Sequence, residues 1–448
     1  MFASEAAGTI GAELIGEDVR FEGCTTDSRQ VRAGQMFIAL KGERFDGHDF
    51  LDSAAAAGAA AALVEEAEAV ARLPLLKAAD VRRAMGTLAG YWRGCFDLPL
   101  IALTGSNGKT TVKEMIGAVL SQQAPVLATQ GNLNNDIGVP LTLFDLGKEH
   151  RFAVIEMGAN HPGEIDYLSH MARPTVALIT QCAPAHLEGF GSVEGVAKAK
   201  GEIFHGLVHD GIAIINADDD YAGYWSGTVS GHRRITFGLK NNADVTADNI
   251  RFDPDSLQQT FSLHLAGSTF DVKLALPGRH NIMNALAAAA CCHAVAIPPQ
   301  QIQSGLERVS PVKGRLQVKM TSSGVRLLDD TYNANPASLE AGLAVLSGYP
   351  GRHWLVLGDM GELGEAAVTL HEQAGAMARE YDVERVFAAG ELTANSVQAF
   401  GEGAEYFDDI ESLIRAIQSG MDAGTTILIK GSRSMAMDRI VKRLLGED

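Results

Sequence analysis

At 448 residues the chain is too long for one typical core, and its length suits three domains of roughly 100–200 residues each. A composition of 46% hydrophobic and 21% charged residues describes a soluble globular protein. Fifty-five acidic residues against 37 basic ones give a net charge of -18, which disfavours nucleic acid and anionic membranes as partners. Any polyanionic ligand must then be drawn in by local basic groups.

The five cysteines, Cys24, Cys95, Cys182, Cys291 and Cys292, contain no Cys-x-x-Cys pair, and their odd number favours a reduced, cytoplasmic setting. The first residues carry Glu5 and Glu13 with no early basic run, unlike a signal peptide. The longest apolar stretch, Ala285 to Ile297, is expected as a buried helix; it is too short for a membrane span.

In chain order, residues 1–83 read as a small α/β unit, with strands at 35–40 and 61–64 and an alanine-rich helix over 50–62. Asp27-Ser28-Arg29 reads as a solvated turn, since Asp and Ser are turn formers. Lys41 to Asp49 forms a second polar turn. A helix over 81–95 leads to Pro99, which breaks the chain before the next unit, residues 84–310. There the pattern alternates, with strands at 100–104, 125–129, 152–156, 175–180, 211–215 and 234–237. Several are continuous apolar runs, as parallel strands buried on both faces require. Residues 245–275 look antiparallel. From 311 to 448 the alternation restarts, with strands at 325–328, 353–357, 384–388 and 425–429, a second open α/β sheet. Ligands at such sheets sit beyond the carboxyl ends of the strands.

The most informative stretch is Leu100 to Thr111. An apolar strand runs into Gly105, Ser106, Asn107 and Gly108, and Lys109, Thr110 and Thr111 open a helix. Strand, glycine turn and helix N-terminus together make a phosphate site. Unpaired amides and the helix dipole face the anion, and the lysine adds a full charge. The Thr110 hydroxyl can ligate the magnesium that accompanies a nucleotide. The loop is a shortened Gly-x-x-Gly-Lys-Thr form, because Leu103 stands where the full P-loop pattern has its first glycine.

Around it, Glu156 ends an otherwise apolar strand and suits a metal ligand. His186 falls in a loop after the strand at 175–180, on the same rim. Lys198 and Lys200 lie on a helical stretch and read as solvated. Asn281, after Pro277-Gly278, suits either a purine edge or a helix cap. Asp329 and Asp330 end a strand and could accept from ribose hydroxyls. Lys430-Gly-Ser-Arg433 forms a second, weaker anion site.

These stretches resemble the Mur ligases, the ATP-dependent amino-acid ligases of peptidoglycan synthesis. The resemblance rests on Thr104-Gly-Ser-Asn-Gly-Lys-Thr-Thr111, Asp27-Ser-Arg29, Phe45-Asp-Gly-His-Asp49, Gly131 to Pro140, Asp330-Thr-Tyr-Asn-Ala-Asn-Pro336 and Lys430 to Met435, and covers essentially the whole chain. It implies a UDP-sugar domain (1–83), a P-loop-type ATPase domain with a mostly parallel sheet (84–310) and a Rossmann-like domain (311–448). Asp27, Ser28 and Arg29 become UDP contacts. Asn134 and Asn135, with Tyr332, Asn333 and Asn335, become substrate contacts. Glu156 and His186 match magnesium positions, and Lys200 matches the lysine carried as a carbamate. Asn281 matches the adenine contact, and Arg315 and Asp330 match groups that close on phosphates and ribose. The implied activity is ATP- and Mg2+-dependent joining of D-alanyl-D-alanine to a UDP-muramyl tripeptide through an acyl phosphate. Two magnesium ions, Lys109, His186, Lys200 and Arg315 as catalytic groups, and a monomeric enzyme complete the expectation.

Overall fold

The computed structural model describes residues 1–43, 45–66 and 72–447. Arg44, in the polar turn expected over 41–49, and residues 67–71 of the first unit lie outside them. Three sheets follow one another along the chain, of five, nine and six strands.

In the first sheet, Met36–Ile38 pairs in parallel with Ala61–Val64, as the two apolar runs suggest. Glu13–Ile15, Cys24–Thr25 and Leu75–Lys77 complete it. These three are two or three residues long, too short to show a period. The helix expected over 50–62 is confined to Leu51–Ala56. Gly58 takes a φ of +95°, which turns the chain toward the next strand.

The helix Val81–Gly94 is capped by the Asp80 carboxylate, which accepts from the Arg83 amide at 2.8 Å. It packs on Gly138–Phe144 and Glu164–Ala172 of the central unit. Gly86 permits this approach, because a Cβ there would fall 1.8 Å from the Tyr167 hydroxyl. The boundary expected at 83/84 therefore falls inside a helix that docks on the central unit.

The central sheet is built around Leu100–Thr104, all of whose residues are buried. Leu100 and Ala102 face one hydrophobic layer, and Ile101 and Leu103 the other. Strands Phe152–Glu156 and Val126–Ala128 lie on one side; Val176–Ile179, Ile212–Asn216 and Arg233–Gly238 lie on the other. All of these pair in parallel. The chain thus reverses direction across Leu100–Thr104, and a crevice opens at that strand's carboxyl end. The segment read as antiparallel forms Val245–Asp253, Gln258–Leu265 and Ser268–Leu274, with Phe261, Leu263 and Leu265 inward. It extends the same sheet, since Val245 and Thr246 pair in parallel with Phe237 and Gly238. The apolar run near 285–297 is a buried helix, Arg279–Ala294.

The third sheet orders Gln317–Met320, Arg326–Asp330, Thr425–Lys430, Arg352–Gly358, Arg385–Ala389 and Ala404–Tyr406. The first strand is antiparallel and the rest are parallel. Its two edge strands were not expected; they are short, partly exposed and weakly apolar. Among the described residues no helix is long and apolar enough to cross a membrane. All five cysteines are free.

Candidate active site

A cleft of about 860 Å³ lies between the central and third units, over the carboxyl end of Leu100–Thr104. Gly105 and Gly108 shape its floor with φ values of +146° and +82°. A Cβ on Gly105 would lie 1.9 Å from the Thr180 hydroxyl, and one on Gly108 would lie 2.4 Å from Oδ1 of Asn284. Only glycine fits either place. Lys109 Nζ folds back onto the Gly105 carbonyl at 2.7 Å. The Ser106 hydroxyl donates to the Ala183 carbonyl and accepts from its amide, both at 3.0 Å, so it braces the loop. Thr180 donates to the Asn107 carbonyl at 2.6 Å. Thr111 lines the cleft from the first helical turn.

The Thr110 hydroxyl donates to Oε2 of Glu156 at 3.0 Å and accepts from the Arg315 guanidinium at 3.0 Å. Glu156 is 2% exposed, and its other oxygen accepts from Nδ2 of Asn134 at 2.9 Å. A hydroxyl and an anchored carboxylate at a helix N-terminus are oxygen donors of the kind that would suit a magnesium ion. No three His, Cys, Asp or Glu side chains gather into a metal cage among the described residues. The buried Nε of Arg315 has no hydrogen-bond partner and leaves a donor for an anion. Its guanidinium stacks on Tyr332 at 4.2 Å.

Lys200 and Lys198 part company here. Lys200 is 1% exposed and lines the cleft, while Lys198 pairs with Glu194 in solvent at 2.7 Å. The solvated reading of Lys200 is overturned because it sits on the inward face of Val193–Gly201. Burial, reinforced by the charge of Lys109, brings its amine down to about 7. Burial also lowers Lys109, aided by Arg315 and opposed by Glu156.

Asn281 does not cap its helix; its Nδ2 donates to the Pro277 carbonyl at 2.8 Å and its Oδ1 accepts from Asn284 at 3.0 Å. Asn135 Oδ1 accepts from the Gly138 amide at 2.9 Å, in the turn that leads into Gly138–Phe144. Asp330 is held by Lys430, which also donates to the Asn333 carbonyl at 2.9 Å. Asp329 turns away to Lys319 and Thr331. Asn333 Oδ1 accepts from the Ala334 amide at 2.9 Å. Asn335 caps Pro336–Leu346 and reaches Asn107.

His186, in the left-handed region at φ +53°, contacts the carboxylate of Glu362. That bond lowers the Glu362 carboxyl, against the opposing effect of burial. Burial holds His280 near 4, with Lys430 adding to the shift and Asp330 opposing it. The N-terminal motif stays outside the cleft. Asp27 accepts from the Arg29 amide at 3.0 Å and pairs with its guanidinium at 2.8 Å, an internally satisfied turn.

Three stretches match known family descriptions: residues 20–91 "Mur ligase family, catalytic domain", 103–292 "Mur ligase middle domain" and 314–433 "Mur ligase, glutamate ligase domain". The chain is 45% identical to the UDP-N-acetylmuramoyl-tripeptide–D-alanyl-D-alanine ligase of Escherichia coli, over 98% of this chain and 97% of that one. The chain belongs to the Mur ligase family. Among solved Mur ligases, a MurF from Acinetobacter baumannii superposes with a TM-score of 0.92 at 36% identity, covering 99% of this chain and 98% of that one. MurF from Thermotoga maritima in complex with ADP gives 0.84 at 27% identity, covering 95% and 97%. The Mur ligase resemblance read from the motifs thus holds along the whole chain, and so does the three-part α/β architecture. Glu362 carried no assigned role in the motifs, and only the folded cleft brings it to the rim, where Arg433 of the second anion site also stands.

Proposed function

We propose that the chain is an ATP-dependent ligase that joins D-alanyl-D-alanine to the terminal carboxylate of a UDP-N-acetylmuramoyl tripeptide. The observation that carries this reading is Arg315 bonded to Thr110 across the cleft. A third-domain cation with an unused buried donor stands at the mouth of a phosphate loop. A chain with a net charge of -18 gathers Arg82, Lys109, Lys200, Arg315, Lys430 and Arg433 around one cleft, which suits the two polyanionic reactants, ATP and the UDP-muramyl tripeptide.

A carboxylate is a poor electrophile because its leaving group would be oxide. Attack of its oxygen on the γ-phosphorus of ATP expels ADP and makes an acyl phosphate. The dipeptide amine then adds to the acyl carbon, loses a proton, and phosphate leaves as the amide forms. Lys109 and Arg315 offset charge on the phosphates as it shifts toward the leaving oxygen. Thr110 and Glu156 would hold magnesium, which would supply further positive charge to offset the phosphates. Asn134 fixes Glu156 for that task.

Lys200 supports the carbamate reading. Its amine, brought to about 7, is substantially neutral at physiological pH. A neutral amine can add to carbon dioxide and release a proton, which turns a cation into an anionic ligand. With His186 it would hold a second magnesium, which would supply positive charge for the substrate carboxylate. Asn281 and Asn284 offer an amide surface for adenine beside Gly108, and Asp330 a ribose contact. Tyr332, Asn333 and Asn335 face the substrates from the third domain, and Asp27, Ser28 and Arg29 serve the UDP end. The cleft is walled by one chain, so a monomer suffices, and cytoplasmic precursors suit its free cysteines. The reading is tested by phosphate release with ATP and magnesium over a panel of UDP-muramyl peptides. Release that needs both the tripeptide and D-alanyl-D-alanine is expected; release indifferent to the dipeptide refutes it.

A further inference from the structure

One buried cation has no part in the transfer of the phosphoryl group. Lys113 is 2% exposed, yet it lies on Lys109–Leu120, the helix whose first turn follows the phosphate loop. An ammonium taken out of water is costly unless it is bonded, and an apolar side chain would fill the same space at less cost. The charge is explained by what it holds. Nζ of Lys113 donates to the Thr129 carbonyl at 2.7 Å and pairs with Oε1 of Glu114 at 3.1 Å. Thr129 directly follows Val126–Ala128, whose parallel ladder with Phe152–Glu156 ends at Ala128 and Val154. The Thr129 amide still donates to the Val154 carbonyl at 3.1 Å. In a continued parallel ladder the Thr129 carbonyl would next accept from the Glu156 amide. Lys113 takes that carbonyl, and the Glu156 amide donates to the Thr129 hydroxyl at 3.0 Å. The pairing stops there, and the chain turns away into residues 130–137.

That loop returns to the same carboxylate. Nδ2 of Asn134 donates to Oε1 of Glu156 at 2.9 Å, and the Gly158 amide donates to the Asn134 carbonyl at 2.8 Å. Glu156 is thus gripped at its amide by Thr129 and at its carboxylate by Asn134. The remaining oxygen, Oε2, accepts from the Thr110 hydroxyl at 3.0 Å. Thr110 and Lys113 lie three positions apart, on one face of one helix. The helix that presents the Thr110 hydroxyl therefore also fixes, through Lys113 and Thr129, where the opposing carboxylate stands. Thr129 is 1% exposed, so solvent does not stand in for its hydroxyl.

Resting on the magnesium role given to Thr110 and Glu156 in the ligase reading, we propose that Lys113 and Thr129 are positioning residues for that site. Lys113 ends the ladder at Thr129, and the Thr129 hydroxyl locks the backbone of Glu156 so that its carboxylate meets Thr110. Both act through Glu156 rather than on a reactant.

The test measures ADP binding by calorimetry, in EDTA and across a magnesium titration, on wild type, Thr129→Val, Thr129→Ser and Lys113→Met. Wild type should bind ADP more tightly in magnesium. Thr129→Val keeps the side-chain shape and removes the acceptor. It should raise the magnesium concentration for half-maximal effect by about ten- to a hundredfold, in ADP binding and in phosphate release alike, with Kd for ADP in EDTA unchanged. Thr129→Ser restores the hydroxyl and should return to the wild-type magnesium requirement, and Lys113→Met should follow Thr129→Val. The Thr129 pair reads the role independently of the stability of Lys113→Met. An unchanged magnesium requirement in Thr129→Val, an equal weakening of ADP in EDTA, or a serine variant as impaired as the valine one overturns the inference while the ligase reading stands. Wild-type enzyme that binds ADP no better with magnesium overturns it too. Wild-type enzyme that shows the magnesium effect but releases no phosphate with the tripeptide and the dipeptide overturns the ligase reading and leaves the inference in place.

Discussion

The side-chain amides of Asn107 and Asn335 bond reciprocally across the cleft. Nδ2 of Asn335 donates to Oδ1 of Asn107 at 2.8 Å, and Nδ2 of Asn107 returns to Oδ1 of Asn335 at 3.3 Å. One residue belongs to the phosphate loop and the other caps Pro336–Leu346, where its Oδ1 also accepts from the Ser338 amide at 2.9 Å. The conformation of the nucleotide loop is thereby tied to the position of the third domain. Asn335→Ser keeps a capping oxygen but cannot reach Asn107. Two neutral hydrogen bonds at about 1 kcal/mol each correspond to a roughly ten- to thirtyfold loss in kcat/KM for ATP. Asn107→Ala should cost the same, and the double variant no more, in steady-state kinetics on all four proteins.

Lys109→Ala should lower phosphate release by about 10^3-fold or more, because it removes a fixed charge from the phosphates. The lysine's burial lowers its own pKa, so the fold gains nothing from the charge. Circular dichroism and the melting temperature should be unchanged, and a variant with full turnover would sink the phosphate-loop assignment.

Lys200 links catalysis to stability. Its amine sits near 7 in the fold and at 10.5 in the unfolded chain. Between those values the unfolded state binds more protons, so stability rises with pH across the window. The cost of burying the amine is fully present below about 7 and gone above about 10.5. In buffer free of carbon dioxide, Lys200→Met should therefore raise the urea midpoint most at neutral pH and little near pH 10.5. The Lys200→Ala enzyme should be nearly inactive and partly rescued by a short carboxylic acid, which can stand in for the carbamate. Full unrescued activity would rule the carbamate out.

His280 should make the protein acid-sensitive. Its pKa falls from 6.5 to about 4, so the unfolded chain takes up a proton that the fold refuses. Its contribution to stability is complete above 6.5 and is lost as pH falls through that window. The loss is at most about 3 kcal/mol, and less because the ring borders the cleft. His280→Gln should flatten the dependence of the urea midpoint on pH between 6.5 and 4.

Much of the fold was legible locally. Strands such as Leu100–Thr104 and Val176–Ile179 are unbroken apolar runs buried on both faces, and burial of that kind writes itself into composition. The edge strands Gln317–Met320 and Ala404–Tyr406 were not legible, because half-exposed residues carry no such signal. The helix over 50–62 was read too long because alanine content reports propensity, while Gly58 and the pairing of Ala61 with Met36 decided where it stops.

The sequence by itself determined the phosphate loop, since Gly105 to Thr111 is contiguous and its chemistry follows from glycine conformations and one lysine. It also carried the family, through motifs spread over the chain. Tertiary structure alone decided which of two lysines two positions apart is buried, that Asn281 does not cap its helix, and that Glu362 meets His186. The reason is range. Turn and strand signals arise from neighbours along the chain, whereas Asn107 and Asn335 are 228 residues apart, and only packing of whole domains brings such groups within hydrogen-bonding distance.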